Sequence, residues 1–489
     1  MNLRLPSAGL AASCLALLGG CALQRPPAQV PITIPAGWQA PLPHGGSVAD
    51  MTDWWKRLDD PLLVQLIAAA EDASPTLAQA RSRLLQARAT RVVNGAATLP
   101  SVNLDASIQR GFNAAVLGIA TQMQAGPTVS WDADLFGAAG ASRDAAEARL
   151  QGARAGWHDA RVAVAADVAN QLDTVRNCRR LLAVAESDAK SRAETARLSD
   201  LSAKAGFQAP ADAALARGSA ADGDARLIQQ RAGCEVNLKA LVALTALDEP
   251  DLRRRVDAAV ETEPVPAVFT IASLPAAVLE QRPDLRVAAL EVAAASAEVG
   301  SAQAQRYPRL RLQGSVSQAR LNYGGQSFDF SNWQVGPVAL SLPIFDGGRL
   351  AANVDSAKAR YDEAAAQFRA KARQAVREVE EALVNLQAAT DRIASAETAA
   401  EGYKRALAGT QARYDAGLAT LIALEDVRRT ALASETARVN LRRERMAAWI
   451  ALYRAAGGGW DPASPAPGDP PGTAVSAAPA KAVSSDTPR

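Results

Sequence analysis

Aromatic residues make up only 4% of this 489-residue chain, and histidine occurs just twice, at His44 and His158. Two isolated histidines leave almost nothing for metal ligation or for proton transfer near neutral pH, and each reads as a solvated surface residue. Charge of one sign is lacking as well: 53 basic side chains stand against 51 acidic ones, which argues against a nucleic-acid partner. No catalytic constellation, metal site or cofactor site emerges, so an enzyme is not the expected reading. Hydrophobic residues nevertheless reach 48%, and alanine supplies much of that share. Ala-rich, charge-laced sequence suits long, closely packed helices better than one thick core. The length exceeds that of a usual single domain, so the chain either divides or elongates.

The first twenty residues read as a signal peptide, with Arg4 for positive charge and a short apolar core from Leu10 to Leu18. That core is too short to span a bilayer. It ends in Leu18-Gly19-Gly20-Cys21, which resembles the bacterial lipobox, cut before the cysteine and acylated on it. The resemblance implies a lipid anchor at Cys21, and Ala22 in place of an aspartate implies the outer membrane; the alternative is a signal with an incidental cysteine. Residues 21–52, rich in Pro and Gly, are expected to form an extended lipid-anchored tether. Residues 461–489 read as a disordered tail.

Between these ends the chain is written twice. Pro75 and Pro100 bracket an Ala-rich helical stretch, as do Pro283 and Pro308; Gly126-Pro127 returns as Gly336-Pro337, and Gly206 as Gly417. The offsets are 208, 208, 210 and 211 residues. The two repeats are assigned to 53–260 and 261–460. Each predicts helix, strand, strand, long helix, turn, helix, giving a mainly α fold with a small β part.

The strands alternate. Val102, Leu104, Ala106 and Ile108 oppose Asn103, Asp105, Ser107 and Gln109; Val129, Trp131, Ala133 and Leu135 oppose Ser130, Asp132 and Asp134. In the second half Leu310, Leu312 and Val316 oppose Arg311, Gln313, Ser315 and Ser317, and Val338, Leu340, Leu342 and Ile344 continue the pattern. Apolar-out, polar-in strands of this length fit a transmembrane β-barrel with a wet lumen, although a half-buried sheet of a soluble domain alternates too. Four strands cannot close round a water-filled pore, and lipid tolerates no open edge, so several chains would share it; three would supply 12 strands.

No proline interrupts Ala138–Lys204 or Arg349–Arg413, and each stretch would reach roughly 100 Å as a helix. Folding back at Gly206 and Gly417 then gives two antiparallel hairpins, either the wall of a tunnel or a solid coiled-coil rod. Cys178 and Cys234 each lie 28 residues from Gly206, at equal height in such a hairpin. In an oxidising compartment a disulfide is expected there, with two free buried thiols as the alternative.

Taken in order, LPSVNL, SWDADLFG, LEQRPDLRVA, RYPRLRLQGS, LPIFDGGRL, RYDAGLATLIALED and LYRAAGGGW resemble the TolC-like outer membrane efflux proteins, and the lipobox resembles their NodT-type lipoprotein branch. The resemblance covers roughly 53–460. It implies a homotrimer whose 12-stranded outer-membrane barrel continues into a long periplasmic α-barrel. It also implies an exit duct, partnered by a periplasmic adaptor (membrane fusion) protein and an inner-membrane pump of the RND type. By the same resemblance, Ile422 and Asp426, four apart on one helix face, would form the periplasmic gate, with Asp212 at the first tip as a further candidate. The plainer alternative makes Asp426 and Glu425 ordinary solvated charges near a helix start. Ala423 departs from the family pattern, where some members carry another acid, and Ala456 stands where leucine is commoner. The rival function is a periplasmic coiled-coil scaffold or adaptor lipoprotein, which has no use for apolar-out ribbons. The exported cargo is not legible.

Overall fold

The computed structural model describes residues 25–32, 35, 38–40, 60–258, 279, 281–460 and 465–468. The signal segment, Cys21, His44 and the tail beyond 468 lie outside them. The elements, in order, are α1 (Pro61–Ala73), α2 (Pro75–Ala96), β1 (Ser101–Asn113), β2 (Gly118–Ala133), α3 (Ala138–Lys204), α4 (Pro210–Thr245), α5 (Glu249–Ala258), α6 (Pro283–Ala304), β3 (Arg309–Tyr323), β4 (Gln326–Ser341), α7 (Arg349–Asp415) and α8 (Leu421–Ala455). Two strands, a long helix and a shorter helix thus occur twice, and α3 and α7 are both 67 residues long. Pro75 and Pro283 open α2 and α6, where the missing N–H costs nothing. Pro100 and Pro308 follow the ends of those helices and commit the chain to extended backbone. Among the described residues no helix is long and apolar enough to cross a membrane.

The chain divides into two compact units. The first takes in Met1–Ile32, Ser82–Arg154 and Arg286–Lys371. It holds one antiparallel sheet in the order β1-β2-β3-β4, so the two halves of the repeat meet at the β2–β3 ladder. At that seam the backbones approach closely: a Cβ on Gly126 would collide with the carbonyl oxygen of Val316. Beside the sheet, Ala145, Ala294 and Ala297 pack together, small enough to let α3 and α6 lie close. Arg149 of α3 reaches Glu291 at 2.8 Å and Glu298 at 2.5 Å on α6.

Residues 25–32 do not stand off as a tether. Ser296 donates to the Pro26 carbonyl at 2.5 Å, the Tyr361 hydroxyl donates to that of Pro27 at 2.9 Å, and Val30 packs on Val292, Ala295 and Ala364. Proline leaves carbonyls without competing donors of its own, and the helices supply hydroxyls to meet them.

The second unit takes in Thr33–Arg81, Ala155–Leu285 and Ala372–Arg489. Its core joins Leu62, Leu66, Leu172, Leu241, Leu252, Leu383, Trp449 and Leu452, all but removed from water. Arg282 is buried and satisfied by Asp284, Glu378 and the Ala455 carbonyl. His158 is not the surface residue its isolation suggested. It is buried edge-on to Trp157 at 4.8 Å and near Trp460 at 6.0 Å, because the scarce aromatic side chains gather here. Burial also pushes the Asp173 carboxyl up to about 6, against the pull of Arg180, Arg443 and Arg176.

Candidate channel wall and helix tips

Residues directly opposite across antiparallel strands share a face, so the register sorts the sheet row by row. One face carries Ser101–Ser130–Gln313, Asn103–Thr128–Ser315–Gln334 and, at its helix-proximal edge, Asp132–Arg311. Hydrogen bonds knit this polar face: Ser101 to Ser130 at 2.8 Å, Thr128 to Asp105, and Arg311 to Asp132 at 2.7 and 3.0 Å. The other face carries Trp131–Leu312–Val338, Val102–Val129–Gly314–Val335, Leu104–Pro127 and Val316–Trp333. These large apolar side chains are exposed, Leu104 to 80% and Val335 to 87%. A contiguous exposed apolar band opposite a polar ladder is the arrangement of a strand wall between lipid and water. β1 and β4 are the outer strands, and each presents one edge with no partner among the described residues.

In the second unit both hairpins turn by the same device. Gly206 and Gly417 have φ of +79° and +72°, and each follows the end of its long helix. At the first tip Gly206 N–H reaches Ala203 O (3.0 Å) and Phe207 N–H reaches Ser202 O (2.9 Å); at the second Gly417 N–H reaches Tyr414 O (2.9 Å) and Leu418 N–H reaches Arg413 O (2.7 Å). These paired bonds satisfy the last carbonyls, and only a left-handed residue permits them. Gly417→Val is therefore expected to cost about 1–2 kcal/mol. Gly409→Ala, inside α7 with open space around it, is expected to stabilise by about 0.5–1 kcal/mol. Thermal unfolding of the two variants should move in opposite directions; a shared direction would refute the tip geometry.

The next helix starts differently at each tip. Thr420 caps α8, its hydroxyl accepting from Ala423 N–H at 3.2 Å. α4 has no side-chain cap and begins at Pro210, with Asp212 half-buried in its first turn. Ile422 and Asp426 are both exposed on one side of α8, Ile422 to 63%, and Asp426 makes a surface pair with Arg429 at 3.3 Å. Glu425, one residue away, is not solvated. It receives Arg192 of α3 at 2.5 Å, Ser219 of α4 at 2.8 Å and Arg428 at 2.5 Å. Arg428 is 2% exposed and donates further to Thr195 and Gln411, both at 3.0 Å, so four helices are tied through two guanidinium groups and one carboxylate. Burial draws the Arg428 guanidinium below its usual range; Glu425 opposes that and Arg192 adds to it. Cys178 and Cys234 join α3 to α4 by a disulfide with a Cα–Cα separation of 5.4 Å.

The profile of the outer membrane efflux protein family matches residues 66–247 and 274–458, one segment for each repeat. The chain belongs to that family. Outer membrane protein OprJ of Pseudomonas aeruginosa is 30% identical over 486 residues, covering 94% of this chain and 97% of the relative. Nodulation protein T of Rhizobium leguminosarum bv. viciae is 28% identical, covering 86% and 87%. The solved outer-membrane channel OprN superposes with a TM-score of 0.80 at 26% identity, covering 89% of this chain and 99% of that one.

As an outer membrane efflux protein, the chain is an outer-membrane export channel, and its family comprises ducts rather than enzymes. Of the residues singled out from the sequence, Ile422 and Asp426 share a face on α8, Asp212 opens α4, and Cys21 lies outside the described residues. The Arg192–Glu425–Arg428 cluster was missed. Its signal is the helical spacing of Leu421, Leu424, Arg428 and Ala431, all buried, which puts an arginine on an apolar stripe.

Proposed function

We propose that three copies of this efflux protein join edge to edge, β4 of one chain to β1 of the next, and close a 12-stranded barrel through the outer membrane. The observation that carries this is the four-stranded sheet with two open edges and an exposed apolar band. Such edges are intolerable in hydrocarbon, where every backbone N–H and C=O must be paired, and closure among copies is the remedy. In this reading the long hairpins of three chains form the periplasmic tunnel. An acyl chain on Cys21 anchors each copy in the outer membrane, and a periplasmic adaptor connects the duct to an inner-membrane pump of the RND type. The duct does no chemistry of its own, and the pump supplies both energy and cargo.

At the tips, three Asp426 carboxylates one turn from three Ile422 side chains would make a charged ring beside an apolar one. That pairing attracts cations yet wets poorly, which suits a closed periplasmic entrance. Asp212 is the second candidate for the same ring. The test is single-channel conductance of purified trimers in a planar bilayer. Small, mostly closed wild-type currents that rise severalfold in Asp426→Ala would support pore and gate together. Unchanged currents would move the gate, with Asp212→Ala examined next. No current from folded wild-type protein would favour a periplasmic scaffold.

A further inference from the structure

The alternation of β3 and β4 changes phase part-way along. Ser317 and Gln318 are consecutive polar residues, as are Ser331 and Asn332, and the register sets them opposite one another: Ser317 with Asn332, Gln318 with Ser331. The ladder is unbroken there, since its one irregularity lies between Leu312 and Gly314. On β3 and β4 both faces therefore invert in chemistry at the same row, while β1 and β2 keep their phase, Ile108 and Met123 staying on the apolar face and Gln109, Gln122 and Gln124 on the polar one.

On the apolar face, the rows towards the hairpin turn become Gln318–Ser331, Arg320–Asp329 and Asn322–Ser327. Each is a hydrogen-bonded pair, the Arg320–Asp329 one bidentate at 2.6 and 2.9 Å. An ion pair with half-exposed side chains does not sit among acyl chains. On β3 and β4 these rows lie beyond the hydrocarbon, on the side away from the helices, whereas Ile108, Phe112 and Ile119 of β1 and β2 keep that face apolar and exposed.

On the polar face, the same rows become Ser107–Gln124–Ala319–Phe330 and Gln109–Gln122–Leu321–Phe328, so the apolar part is confined to β3 and β4, where Tyr323 follows it. Ala319, Leu321 and Ala120 are buried, and the Tyr323 ring lies over Gly118, where a Cβ would collide with it. Phe328 and Phe330 remain 48% and 43% exposed on top of this patch. A water-filled bore gains nothing from apolar lining, so the patch calls for its own account.

We infer that Leu321, Tyr323, Phe328 and Phe330, repeated in three chains, form an interrupted apolar collar inside the outer mouth of the duct, three patches parted by the glutamines of β1 and β2, which favours solutes with an apolar or aromatic portion over wholly polar ones. The inference rests on the barrel reading above and deepens it. The glutamine arcs keep water and ions in the mouth, and beside them an amphipathic solute can exchange the hydration of its apolar portion for contact with the aromatic rings. Nothing in the polar ladder nearer the helices offers such contact.

The test uses full-length trimers carrying Phe328→Cys, assembled first and then treated with a small trimethylammonium thiosulfonate. Cys178 and Cys234 are bonded to each other and do not compete. Modification should place positive charge in the collar, change unitary conductance by roughly twofold and shift selectivity towards anions. Ser331→Cys, facing the opposite way, should accept the reagent with no change in current. A response of the Ser331 variant instead, or of neither variant in conducting trimers, would overturn the collar while leaving the duct. Absence of current in the unmodified parent would remove the duct reading and the collar with it.

Discussion

Replacing Glu425 by alanine is expected to lower stability by about 3–5 kcal/mol, the cost of leaving buried cations unpaired. Arg192 and Arg428 are 7% and 2% exposed at their side chains, and Glu425 is the carboxylate they share. Asp188 also meets Arg192, at 2.8 Å, so Arg428 is the group left worst off. Glu425→Gln retains an acceptor but not the charge and should fall between wild type and alanine. Arg429→Ala, which removes only the exposed partner of Asp426, is expected to change stability by less than about 1 kcal/mol. Urea unfolding read alongside hydrogen exchange of α8 would separate these cases. Equal midpoints for Glu425→Ala and Arg429→Ala would show that the cluster does not hold the tip. Because the same carboxylate ties α3, α4 and α8 together, loosened hairpins should also conduct more, giving a second readout on the same variant.

The other large effect is the disulfide. Cys178 and Cys234 are 56 residues apart, and a cross-link closing a loop of that length restricts the unfolded chain by about 4 kcal/mol in the chain-entropy description. The double variant Cys178→Ala, Cys234→Ala should therefore unfold at markedly lower denaturant. Reductant alone should act slowly on the folded protein, since Cys178 is buried and Gln230 donates to its sulfur at 3.2 Å. Mass spectrometry of protein purified without reductant should find the two peptides linked; free thiols on both would defeat the prediction outright.

Much of the fold is legible because duplication writes each signal twice. The prolines that open α2 and α6, the glycines at the tips and the proline-free spans of α3 and α7 are local features whose physics needs no partner. The strand alternation near the helices is local too. What escaped is what depends on company. A place near a helix start makes Glu425 read as a solvated charge like Asp426, because nothing local tells the two apart until the facing helices supply Arg192 and Ser219. His158 reads as a surface residue for the same reason, since Trp157 and Trp460 close round it only in the fold. Residues 25–32 read as a spacer because carbonyl acceptors carry no sequence signature. The inversion at Ser317-Gln318 is visible as two adjacent polar letters, but it acquires meaning only when Ser331-Asn332 is found opposite.

The seam at Gly126 and Val316 has a consequence for how the duct is put together. It is an internal join between two near-copies, and in a closed ring of three chains it would alternate with the join between neighbours. Gly336, the counterpart of Gly126, stands beside the open edge with only Val338 N nearby, at 3.6 Å from where a Cβ would lie. In such a ring, tandem fusion would make every second seam between repeats unimolecular, already formed at any protein concentration and immune to dilution. Only the remaining seams would wait for an encounter in the membrane. The two halves are then free to diverge, one seam tuned for permanence and the other for recognition.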